Sequence, residues 1–130
     1  MKPTSSSIYR RLELLTDWLI PVVDRMPKSM SSNIIGDRLI NSIMNAQEYT
    51  AIALRSANIS DRIEAIRFMI LCTDTMRYCM RAIYERSRNS STRVINTEQY
   101  SHFVGEMEKI GDETAKWLSS AERNLKNVKS

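Results

Sequence analysis

Three groups of residues in this 130-residue chain carry side chains able to do chemistry. Cys72 and Cys79 stand seven apart, His102 is the single histidine, and five arginines with one glutamate fill the stretch from Arg77 to Arg93. Two cysteines seven apart in one helix lie about 10 Å from each other, too far for a disulfide. They read as small apolar packing residues, and nothing asks for an oxidising compartment. A di-iron centre needs a Glu-x-x-His pair on each of two helices. Glu98 and His102 have the wrong spacing and there is no second histidine, so His102 reads as a surface or cap-proximal residue. Gly36, Gly105 and Gly111 lie too far apart to form a phosphate loop. Catalysis has no foothold, and the expectation is a protein that is not an enzyme and uses no cofactor, metal or small-molecule substrate. The arginines remain, and their planar forks suit phosphate better than a lysine point charge does.

Helices must position these residues. Three Gly and three Pro are too few for the turns of a β-sandwich or a Rossmann unit. Four apolar stripes at steps of three and four mark amphipathic helices instead. The first is Ile8, Leu12, Leu15, Leu19, Val22 and Met26, kinked by Pro21 and stopped near Pro27. The second runs through Ile35, Leu39, Ile43, Ala46, Thr50, Ala53 and Ala57, and the third through Ile59, Ile63, Ile66, Ile70, Thr73, Met80 and Tyr84. The fourth holds Tyr100, Phe103, Met107, Ile110, Thr114, Trp117 or Leu118, Ala121 and Leu125. Residues 28–33, 58–60 and 89–93 connect them. Ser60 is the expected cap of the third helix, and Asn96 or Thr97 that of the fourth, with Gln99 placed as in a capping box. Short loops between long helices predict an all-α fold, an up-down-up-down four-helix bundle. It forms one domain over residues 1–130, with an ordered core at about 7–124 and short flexible termini. The longest stretch between charges, Leu39 to Gln47, covers nine positions, too few to span a membrane. The opening Met-Lys-Pro-Thr-Ser-Ser-Ser lacks a signal peptide's apolar core, so the expected location is intracellular.

The third helix carries a second apolar stripe, Met69, Cys72, Met76, Cys79 and Ile83. One core needs one face of roughly 100°. This helix is therefore either central in the bundle or packed against another copy in a homo-oligomer. Charge is unevenly placed as well. In an up-down bundle Arg25, Lys28, Arg38, Arg81, Arg86, Arg88 and Arg93 share one end with four carboxylates, leaving +3 of the chain's net +4. The other end holds +4 and the waist −3. Basic ends are what a nucleic-acid partner would use, because phosphate contacts release counterions. The plainer alternative is a solvated surface with i,i+4 pairs such as Arg81–Glu85. Arg77 falls in the third stripe itself, where it either pairs with a buried carboxylate or faces an oligomer seam or pore.

Several short motifs resemble a known family. Trp18-Leu19-Ile20-Pro21 followed by Met26-Pro27-Lys28-Ser29 is similar to the first helix of the accessory variability determinant (Avd) family of diversity-generating retroelements. Ile35-Gly36-Asp37-Arg38 resembles the start of its second helix and Ile66-Arg67-Phe68 the middle of its third. Gln99-Tyr100, Ile110-Gly111 and Trp117-Leu118 resemble its fourth, so the resemblance runs from about residue 8 to residue 123. It implies a four-helix bundle assembled into a homopentameric barrel. That assembly binds the element's reverse transcriptase and template RNA and supports mutagenic complementary-DNA synthesis (mutagenic retrohoming) without catalysing it. It also implies a cytoplasmic place of action in a bacterial, phage or archaeal host cell. Arg38 and Arg67 fall on family basic positions. Leu71 stands where the family often has a second basic residue, so any RNA contact made there must come from another side chain. The nucleic-acid candidates are Arg25, Lys28, Arg38, Arg67, Arg77, Arg81, Arg86, Arg88 and Arg93. The four-helix-bundle proteins encoded in ribosomal-RNA intervening sequences share the architecture. They imply a homo-oligomeric protein-interaction module that binds no nucleic acid.

Overall fold

Four helices follow the four stripes in the computed structural model, which describes residues 3–88 and 94–129. They are α1 (Pro3–Asp24), α2 (Met30–Arg55), α3 (Ile59–Arg88) and α4 (Thr97–Lys129), and the described residues include no strand. Helix α1 runs through Pro21 and stops one turn later at Asp24, which leaves Met26 and Pro27 in the connection to α2. Helix α2 starts earlier than its apolar pattern. Ser29 takes an extended backbone and its hydroxyl accepts the Ser32 N–H at 3.2 Å, so the connection is residues 25–29 rather than 28–33. The cap of α3 is Asn58 and not Ser60: its Oδ1 accepts the N–H groups of Ser60 (2.8 Å) and Asp61 (3.2 Å). Asn96 caps α4 with a reciprocal box, its side chain taking the Gln99 N–H at 2.8 Å while Gln99 takes the Asn96 N–H at 2.9 Å.

Each helix packs antiparallel on its neighbours, and α4 closes on α1. Thr16 on α1 bonds to Gln47 on α2, while Thr50 on α2 reaches Met69 on α3. Tyr84 stacks on Tyr100 between α3 and α4, and Ser7 and Arg11 on α1 meet Glu113 on α4. The core draws on all four stripes, with Leu12, Leu19, Leu39, Ile43, Ile66, Met80 and Ile110 fully buried, but Ala57 is exposed because α2 stops at Arg55. Trp117, and not Leu118, is the buried member of its pair. Thr50, Thr73 and Thr114 lie inside because each hydroxyl donates to a carbonyl of its own helix, at 2.6–2.8 Å. The second stripe of α3 is central rather than outward: Met69, Met76, Cys79 and Ile83 are buried within the same chain, and Cys72 is half-buried. Val94 and Ile95, which belong to no stripe, also enter the core.

Candidate nucleic-acid interface

Antiparallel packing brings the α1–α2 connection, the end of α3 and the start of α4 to one end of the bundle. Arg86 ties the end of α3 to the first turn of α2, its Nη1 donating to Ser31 Oγ at 3.0 Å. The hydroxyls of Tyr84 and Thr97 meet at 3.1 Å, and the Tyr84 and Tyr100 rings stack 4.3 Å apart. Arg25 and Lys28 lie exposed in the α1–α2 connection at this same end. Arg88 closes α3, but its side chain, like all of Arg93 and the 89–93 connection, lies outside the described residues.

Farther down the helices, α3 carries a ridge with a cleft on each side. Arg38 of α2 lines one cleft with Asp74, Thr75, Tyr78 and Cys79. Arg77 and Arg81 line the other with Tyr78, Tyr100 and Glu108. Among the described residues Arg25, Lys28, Arg38 and Arg81 have no ion-pair partner, and Arg86 is held by a neutral hydroxyl. Those five are the candidates whose charge is left for an outside anion. Burial pushes the Cys79 thiol above its ordinary range, with the Arg38 guanidinium opposing, and burial alone raises Cys72. Both cysteines are free.

Arg67 and Arg77 behave differently from their sequence reading. Arg67 Nη2 sits 3.0 Å from Glu122 Oε2 on α4, toward the other end of the bundle. Arg77 is not in the core. Its side chain is 42 % exposed and pairs at 2.9 Å with Asp74, itself exposed, so neither the buried carboxylate nor a core position holds. Its second guanidinium nitrogen crosses to α4 and donates to the Met107 carbonyl at 3.2 Å. It clears α4 because Gly111 stands there: a Cβ at that position would lie 3.0 Å from Nη2. Arg62, at the opposite end, donates to the Ala53 and Ser56 carbonyls at 3.1 and 2.8 Å and closes the C-terminus of α2.

Two acids of the waist, Glu106 and Glu113, are paired across helices. Arg11 of α1 reaches Glu113 at 3.2 Å and Glu106 at 3.7 Å on α4, and Lys109 also pairs with Glu106. The described residues hold no cluster of His, Cys, Asp and Glu suited to a metal ion. Among them, no helix is long and apolar enough to cross a membrane. His102 is exposed and packs its ring 5.2 Å from Trp18.

One residue of the site was missed in the sequence. Tyr78 is 79 % exposed on the ridge between the two clefts. With Phe68 and Leu71 it forms a third apolar line on α3, facing outward. The signal was there at steps of three and seven, hidden beside two denser stripes. Comparison with protein-family models, curated proteins and solved structures gave no match for this chain.

Proposed function

We propose that this chain is a non-catalytic accessory protein of a diversity-generating retroelement, a basic helical adaptor that holds a reverse transcriptase and its template RNA together. What carries the reading is one observation: among the described residues, Arg25, Lys28, Arg38, Arg81 and Arg86, toward one end of the bundle, form no ion pair. A polyanion is the partner such a surface fits, since each phosphate contact releases condensed counterions. The motif order from Trp18 to Trp117 adds the family, its reverse transcriptase and complementary-DNA synthesis. In this reading five copies assemble, and the outward Phe68 and Leu71 of α3 are the natural apolar contribution to the contact between copies.

The test is the salt dependence of template-RNA binding. Replacing Arg25, Arg81 and Arg86 by Gln is expected to lower the slope of log affinity against log salt by about 0.7 for each single-strand phosphate that the variant no longer neutralises. An unchanged slope would remove the basic end from the interface. The compensated pairs Arg67–Glu122 and Arg77–Asp74 favour a second reading, the intervening-sequence type of bundle that binds protein alone. Light scattering separates the two: a pentamer supports the retroelement accessory, while a monomer or dimer counts against it.

A further inference from the structure

We propose that Tyr78 is the stacking platform of a seat for single-stranded nucleic acid, with Arg38 and Arg81 holding phosphate on its two sides. The inference rests on the nucleic-acid reading above and deepens it by naming the strand form and the ring that selects it. Other tyrosines near the ridge have partners, Tyr49 stacking on Phe68 and Tyr84 on Tyr100. Tyr78 has neither a ring partner nor a hydrogen bond among the described residues, and it is the most exposed aromatic among them.

Its surroundings favour a nucleic acid over an apolar partner. The ring sits where the Arg38 cleft and the Arg81 cleft meet, so a strand crossing α3 there passes one guanidinium on entering and another on leaving. Asp74 borders both clefts and Glu108 one of them. Asp74 is partly neutralised by Arg77 at 2.9 Å, and both carboxylates steer phosphate away from the ridge toward the flanking arginines. What then faces Tyr78 is a base, whose amino groups a carboxylate can accept. A base stacks on an aromatic ring only when it is free of its duplex, so the seat prefers single strands. Charge alone would favour the duplex, with its denser phosphates. The two contributions therefore point in opposite directions and can be told apart.

Fluorescence anisotropy with a short labelled RNA of mixed sequence, as single strand and as duplex, tests the seat on the full chain. The wild type is expected to bind the single strand more tightly. Tyr78→Ala should weaken that binding roughly five- to 150-fold with little change for the duplex, and Tyr78→Phe should restore it. Arg38→Gln and Arg81→Gln should each lower the single-strand salt slope by about 0.7. If Tyr78→Ala binds single strands as well as the wild type while the arginine variants lose affinity, the seat is wrong and the nucleic-acid reading survives. If the wild type binds neither RNA, both fail. Light scattering on Tyr78→Ala supplies the last outcome: a change in assembly mass would place the ring between protein copies and overturn the seat.

Discussion

Two of the three glycines sit where helices approach closely, and substituting each by alanine should change stability with opposite signs. Alanine is better than glycine inside a helix by about 0.8–1 kcal/mol. At Gly111 the new Cβ would meet only the tip of Arg77, at 3.0 Å, and a flexible guanidinium can swing aside. Swinging aside breaks its bond to the Met107 carbonyl, a half-exposed contact worth about 0.5 kcal/mol, and leaves the Asp74 pair intact. Gly111→Ala should therefore stabilise by roughly 0.3–0.5 kcal/mol. In an Arg77→Ala background nothing remains to displace, and the gain should reach the full value of about 1 kcal/mol. At Gly36 the Cβ would lie 3.0 Å from Val23 Cγ1 and 3.8 Å from Met26 Sδ. Valine is stiff at χ1, so α1 and α2 must separate, and overpacking of about 1–3 kcal/mol exceeds the helix gain. Urea denaturation measures all four variants. In thermal melts 1 kcal/mol corresponds to roughly 4 °C for a chain of this size. Equal effects of Gly111→Ala with and without Arg77, or a larger loss at Gly111 than at Gly36, would refute the geometry.

Three further outcomes follow from the caps, the arginine at the other end and the thiols. Asn96→Ala and Asn58→Ala should each cost about 1 kcal/mol in urea denaturation, whereas Ser60→Ala should cost only a few tenths, because Asn58 makes the cap. Arg62→Ala should lose about 1 kcal/mol by exposing the end of α2, and should leave RNA affinity and its salt slope unchanged. Burial raises both thiol pKa values in the folded chain, so the unfolded chain gives up those protons first. Stability should then fall as pH rises through the ordinary thiol pKa of about 8.5, and go on falling until the folded thiols ionise. Urea midpoints at about pH 8 and pH 10, compared with Cys72→Ala/Cys79→Ala, check this, since the double variant should lose less stability over that interval.

How far the sequence reading reached depended on whether a feature is local. Helix existence is local: spacing of three and four named the buried face of every helix, from Ile8 to Ala121, and the fold class follows. A cap is local too, but Asn58 and Ser60 both carry a suitable oxygen two residues apart, and only backbone geometry chooses between them. Val94 and Ile95 escaped because a connection has no period, although Ile95 occupies the residue before the Asn96 cap, where an apolar side chain often anchors a helix entry. Helix α3 shows the limit of periodicity. It has three apolar lines, and the choice of which one faces water belongs to α2 and α4, which cover Met69 and Met76 and leave Phe68, Leu71 and Tyr78 outside.

The arginines show the same limit in charge. Whether an arginine is available to phosphate depends on the carboxylate opposite, and those partners are distant in sequence: Glu122 lies 55 residues from Arg67, and Glu113 lies 102 from Arg11. Counting charges at each end therefore could not tell a paired arginine from an unpaired one. Once partners are assigned, Arg67 is committed across helices to Glu122, and Arg77 to Asp74 one turn away on α3 and to the Met107 carbonyl of α4. An exposed ion pair is worth at most about 1 kcal/mol, so these two could still be recruited, but only by first giving up their carboxylates. Among the described residues Arg38 and Arg81 form no ion pair, and they flank the most exposed aromatic ring of that set. The affinity of this surface for a polyanion should therefore be set by Arg38, Arg81 and the end residues Arg25, Lys28 and Arg86. Neutralising Arg67 should change it least.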